Sequence, residues 1–183
     1  IFAFLLNISV TISFSQGTES FNNIPASSST YATQNWTGDN GLAWSATDGR
    51  TDQTINGKAM LIRIGSVICN GIPNGISSLT FTHQQKFTGT GAVLEIYINN
   101  VLIGTANPTT TSTVTTINSL NVTGPFNLQI KQVTSSLRVA IDDISWTGNN
   151  SNPPCQEPIT QPTALTFSST PTSITGNFVA ASS

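Results

Sequence analysis

Side chains able to do acid–base or metal chemistry are scarce: 183 residues hold 8 acidic groups, 6 basic groups and one histidine. Two acids adjoin, Asp142 and Asp143, inside the apolar alternating run RVAIDDISWTG, Arg138 to Gly148. Paired carboxylates serve general acid–base work or glycoside hydrolysis when both enter one cleft. A strand sends neighbours to opposite faces, which puts Val139, Ile141, Asp143 and Ser145 on one side and Ala140, Asp142, Ile144 and Trp146 on the other. The two therefore cannot act as a catalytic pair. At most one of them looks toward the interior or the sheet junction, where a carboxylate needs backbone N–H groups, a basic side chain or a hard cation as partner. Calcium takes about six to eight oxygens, and Glu19 is the natural co-ligand if the first and last strands of the domain lie side by side. At the level of sequence a hydrogen-bonded carboxylate and a structural Ca2+ are both open.

The remaining titratable groups add no constellation. His83 lies in LTFTHQQKF, where alternation places it on one strand face with Leu79 and Phe81. No nucleophile motif accompanies it, and one His with two distant cysteines, Cys69 and Cys155, has no zinc-ligand spacing. Catalysis within this segment is not expected, and no catalytic residue is assigned. Sugar binding asks for less: an aromatic face and a few amides or carboxylates in a shallow site. Among Tyr31, Trp36, Trp44, Tyr97 and Trp146, the alternation of Trp44 with Leu42 and Ala46, and of Trp146 with Ile144, reads as core packing. Tyr31 and Trp36, in the polar stretch STYATQNWTGDNG, are the better ligand candidates.

The elements that would hold these residues are β-strands. Charged residues are only 8% of the chain, against about a quarter in ordinary globular proteins, and Ser and Thr supply the polarity instead. Thr favours strands, Ser, Asn and Gly favour turns, and no window sustains a helical period. Dense turn signals (Asn40-Gly41, Asp48-Gly49, Asn56-Gly57, Asn70-Gly71, Asn74-Gly75) separate nine expected strands. These run from 18 to 21, 42 to 46, 59 to 64, 78 to 87, 92 to 98, 101 to 106, 113 to 117, 126 to 133 and 137 to 146. Such a series predicts an all-β, two-sheet antiparallel β-sandwich. In AVLEIYINNVLIGT, Leu94, Ile96 and Ile98 are the core face and Asn99-Asn100 the hairpin turn.

The six basic residues are spread along a chain of net charge −2, so direct nucleic-acid binding is not expected. Residues 1–15, apolar and then polar, read as the end of a secretory signal peptide; they are too short and too polar for a membrane span, so no membrane insertion of the mature chain is expected. Residues 16–147 read as the sandwich, and 148–161, rich in Asn and Pro, as a linker. Residues 162–183 carry two further alternating runs around Pro171, the truncated start of a second β domain with further linked domains downstream. Whether Cys69 and Cys155 pair is open.

Four blocks, TESFNNIP, NWTGDNGLAWSATDGRTDQTINGKAMLIR, GISSLTFTHQQKFTGTGAVLEIYINNVLIGT and VAIDDISWTG, together resemble the jelly-roll modules of secreted bacterial surface and exported proteins, of the broad type of MAM-like and carbohydrate-binding modules. The resemblance covers nearly all of Thr18 to Gly148. It implies a jelly roll, and a structural cation site mapping onto Glu19 and Asp143 with Asp142 as alternate. The framing cysteines of animal MAM domains are missing, so their disulfides are not carried over. The tail QPTALTFSSTPTSITGNF resembles the opening of a fibronectin type III domain. A non-catalytic binding or adhesion module directed at polysaccharide or a cell-surface glycan is the expected function. The alternative is a spacer presenting an exported enzyme, such as a nuclease, whose catalytic domain lies elsewhere.

Overall fold

A computed structural model describes residues 16–149, 166–170 and 172–177. The chain divides into two units, Ile1–Asn150 and Ser151–Ser183. The expected signal peptide, Cys155 and most of the expected linker lie outside the described residues.

The first unit contains β1 (Gln16–Glu19), β2 (Ala32–Thr37), β3 (Ala43–Thr54), β4 (Lys58–Ile62), β5 (Ser66–Ile72), β6 (Ser78–Lys86), β7 (Leu94–Ile98), β8 (Val101–Ala106), β9 (Thr113–Ile117), β10 (Phe126–Gln132) and β11 (Arg138–Thr147). All their pairings are antiparallel. Hydrogen bonding runs in the order β8-β7-β10-β5-β3-β4-β11-β6-β9, with β1 on β11 and β2 on β3. The ladder is continuous because β3 serves both layers of the sandwich: Trp44 to Ala46 pair with β5, and Gly49 to Thr54 with β4. Between the layers lies one apolar core, drawing Leu94, Ile96, Leu128, Ile130 and Val67 from one side and Met60, Ile62, Leu79, Phe81, Val139 and Ile141 from the other.

Eight of the nine expected strands match to within a few residues, and two of these, Val101–Ala106 and Thr113–Ile117, match at both ends. Three segments differ. The expected strand from 42 to 46 continues to Thr54, because Asp48, at φ 49°, kinks the strand where a chain-reversing turn was expected. β5 was not expected: the Asn70-Gly71 signal inside it makes a bulge opposite β10 and not a turn. The polar stretch around Trp36 is also a strand, β2, paired with β3 from Ala32↔Gly49 to Thr37↔Ala43. The hairpin at Asn99-Asn100 forms as expected, with φ of 50° and 65°.

In the second unit, β12 (Thr166–Thr170) and β13 (Ser173–Asn177) form an antiparallel hairpin. Among the described residues no helix is long and apolar enough to cross a membrane.

Candidate functional site

The first and last strands do lie side by side, with Glu19 opposite Ile144 and Thr18 opposite Ser145. Simple alternation fails within β11. Asp142 pairs with Thr82 and Ser145 with Thr80, so Asp143 and Ile144 together oppose Phe81 in a bulge, with Asp143 at φ 48°. The extra residue shifts the phase: Ile141, Ile144 and Trp146 all reach the core. Asp143 is exposed, whereas Asp142 is 1% exposed on the face away from the core. The expected grouping of Asp142 with Ile144 and Trp146 is thereby corrected.

Each aspartate holds the Asn56-Gly57 turn. Asp142 accepts the Asn56 N–H at 3.0 Å and the Asp143 N–H at 2.9 Å, and Asp143 accepts the Asn56 side-chain amide at 2.7 Å. Burial, with the neighbouring Asp143 charge, pushes the Asp142 carboxyl up to about 6. Glu19, fully buried, accepts three N–H donors: Phe21 N at 2.8 Å and Trp36 Nε1 at 3.2 Å on Oε1, and Asp39 N at 3.2 Å on Oε2. Desolvation outweighs those bonds and raises its pKa.

Glu19 and Asp143 share one depression of about 150 Å³ with Thr18, Ser20, Ile144 and Ser145. As calcium ligands they fit poorly. Glu19 has three of its roughly four acceptor positions filled by N–H groups, and calcium needs about six to eight oxygens. Among the described residues no group of three or more His, Cys, Asp or Glu side chains could hold a metal. What the geometry carries is a hydrogen-bonded carboxylate.

Trp36 belongs to that arrangement and is not presented from a polar loop. It is 7% exposed, stacked on Trp44 at 6.2 Å and 16°, and bound through Nε1 to Glu19. Tyr31 precedes β2, half-buried, with the Arg63 guanidinium 4.2 Å and the Arg50 guanidinium 5.2 Å from its ring centroid. Neither ring is offered bare to a sugar. Trp44 and Trp146 are core residues, as expected. His83 is buried with Nε2 2.8 Å from Thr115 Oγ1, and burial lowers its pKa. Cys69 is a buried free thiol pushed up to about 12 by burial and by Glu19.

An open polar recess lies on the outward face of the other layer. Ile68, Asn70, Tyr97, Asn100, Asn127, Leu128 and Gln129 line a depression of about 300 Å³. Its construction follows from strand alternation: Leu94, Ile96 and Ile98 point inward, so Glu95 and Tyr97 point out, and Gln129 pairs with both Tyr97 and Ile68. The rim is tied across three strands. Asn127 N donates to Asn99 Oδ1 at 2.8 Å, Asn99 N to Asn127 O at 3.0 Å, and Gly71 N to Asn127 Oδ1 at 2.9 Å. The Tyr97 hydroxyl donates to Glu95 Oε2 at 2.5 Å, which raises its pKa and fixes the ring. Among the described residues the side-chain amides of Asn70 and Asn100, the Asn127 NH2 and the Gln129 carbonyl form no hydrogen bond, so donors and acceptors converge beside an aromatic ring. Of the amides, Asn100, Asn127 and Gln129 fall in elements the sequence predicts and Asn70 in the unexpected β5, and only the pairing of these strands gathers them around Tyr97. The legible signal was the outward parity of Tyr97 two residues before the Asn-Asn turn.

Neither a protein-family model nor a curated protein matches the sequence. Among solved structures, the K2 cleaved adhesin domain of Lys-gingipain is similar over 73% of this chain and 99% of that domain, at 12% identity and a TM-score of 0.50. A CBM36 carbohydrate-binding module in complex with calcium and xylotriose covers 72% of this chain and 98% of its own length, at 15% identity and a TM-score of 0.47. A family two carbohydrate esterase from Cellvibrio japonicus covers 74% of this chain, at 15% identity and a TM-score of 0.45, and the chain spans about a third of the esterase, 34%. At such identities the likeness is one of fold: an antiparallel β-sandwich of the jelly-roll type.

Proposed function

We propose that residues 16–149 form a non-catalytic glycan-binding module of a secreted or cell-surface protein, with a polysaccharide segment seated on Tyr97. The observation that carries this reading is the recess itself. It combines one fixed aromatic ring with four side-chain groups that have no internal partner, on a face whose core side is already packed. Sugar rings present C–H faces to an aromatic plane and hydroxyls to amides, which is what the recess supplies. Its lining is uncharged, so neutral hexose or pentose polymers are the expected class.

Titration with neutral polysaccharides by calorimetry or affinity electrophoresis tests this. Tyr97→Ala is expected to weaken binding about tenfold or more, the loss of roughly 1.4 kcal/mol of stacking and contact. Trp36→Phe should leave affinity unchanged, since its ring is internal. Binding that ignores Tyr97 and Gln129 would overturn the assignment. The hairpin of β12 and β13 fits the start of a fibronectin type III-like domain, which would make the module one unit of a longer protein.

A further inference from the structure

We infer a second recognition site, for an acidic polysaccharide, on the outward face of the layer formed by β3, β4, β11 and β6. Five of the six basic residues, Arg50, Lys58, Arg63, Lys86 and Arg138, sit on or beside these strands. Guanidinium groups and aromatic rings alternate there. Arg63 lies 4.2 Å from the Tyr31 centroid, Arg50 5.2 Å from Tyr31 and 5.3 Å from Phe87, and Arg138 5.3 Å from Phe87.

Two members of this row are neutralised. Arg63 pairs with Asp48 and Arg50 with Asp52, which hold both carboxyls below their usual range. The far end is not. Arg138 and Lys86 are direct cross-strand partners, an arrangement of like charges that weakens a sheet. Among the described residues the Arg138 guanidinium forms no hydrogen bond or ion pair, and the Lys86 ammonium reaches only neutral oxygens, Thr54 O and Gln84 Oε1. Phe87 adds a second cost: it is 48% exposed and held at φ 64°, a conformation that bulky side chains rarely adopt. Strain and unbalanced charge at one exposed spot mark a ligand site, because the ligand recovers what the fold gives up.

The missing partner is an anion. Nucleic acids and anionic membranes bind through many cations at once, and this patch offers two uncompensated ones in a chain of net charge −2. An acidic peptide gains most from adding a strand to a free edge, but β11 and β6 lie inside the ladder, between β4 and β9. A glycan whose sugars bear carboxylates fits: one carboxylate meets Arg138 and Lys86 while a sugar ring lies beside Phe87.

The test uses the whole 183-residue chain and polygalacturonate, with its methyl ester as the uncharged counterpart. Polygalacturonate should bind more tightly than the ester. Arg138→Gln should weaken binding about tenfold, the worth of one charge-assisted contact, without lowering the melting temperature, since it removes a like-charge cross-strand pair. Phe87→Gly, which relaxes the backbone, should raise stability while lowering affinity. Equal binding of polymer and ester, or indifference to Arg138→Gln, would overturn the site. Tighter binding of polyglutamate through Arg138 would reassign it to an acidic peptide. Tyr97→Ala is expected to have no effect on polygalacturonate, so failure of the neutral-glycan reading and failure of this one are separately visible.

Discussion

Asp142 is a carboxylate the fold tolerates in order to hold a turn. Its folded pKa of about 6 lies above the ordinary 3.8, so the folded protein keeps a proton that the unfolded chain releases. The sign follows: this contribution to stability is fully present below pH ~3.8 and is lost as pH rises through about 6. The span is worth about 2–3 kcal/mol at most. Asp48 and Asp52, held down by Arg63 and Arg50, work in the opposite sense, their contributions being lost as pH falls through their lowered folded values. Comparing urea unfolding of the native sequence and Asp142→Asn between pH 4 and 7 isolates the first effect. The variant is expected to lose much of the decline that the native protein shows as pH rises; parallel curves would mean that Asp142 titrates normally. Glu19, also raised, keeps part of the slope in both.

Among the elements, the corner between β4 and β5 decides how one strand ladder becomes two layers. Arg63, Ile64 and Gly65 join the two strands, and the kink at Asp48 grips them: Asp48 Oδ2 accepts the Ile64 N–H at 3.0 Å, and Asp48 O the Arg63 N–H at 3.3 Å. A Cβ on Gly65 would come within 1.8 Å of the Thr47 carbonyl oxygen, a backbone atom on the strand that serves both layers. Gly65→Ala is therefore expected to cost more than about 2 kcal/mol or to block folding, read as melting temperature and soluble yield. Gly41→Ala would meet nothing within 4 Å, and its penalty comes from its φ of 72° alone, so it should cost less, about 1 kcal/mol. If the two variants melt alike, Gly65 has no special part in the corner.

For the molecule as a whole, what binds the folded state raises its melting temperature by mass action. Because N–H donors already serve Glu19, calcium and EDTA are expected to leave the melting temperature within a degree or so, while a glycan that binds at Tyr97 should raise it. A clear rise with calcium, abolished in Asp143→Asn, would instead give the ion to the depression that Asp143 shares with Glu19. Much of the architecture was legible in the chain itself. Period-two alternation gave the faces of β7 and placed His83 with Leu79 and Phe81 on β6, and Asn99-Asn100 gave the hairpin of β7 and β8, because those signals are local. The neighbourhood of β1 and β11 stood in the sequence only as a condition for Glu19 to serve as a co-ligand, and the pairing of the two strands meets it. The bulge at Asp143 did not, since it adds one residue against Phe81 without altering any composition signal. Trp36 in a polar stretch looked exposed, and only the pairing of β2 with β3 turned it onto Trp44 and Glu19. The amides around Tyr97 come from β5, β10 and the turn after β7, far apart in sequence. Sequence determines which residues face in or out along a strand, because alternation is a property of the strand. Which strands lie side by side, and so which outward residues make a site, is fixed only when the layers close on their common core.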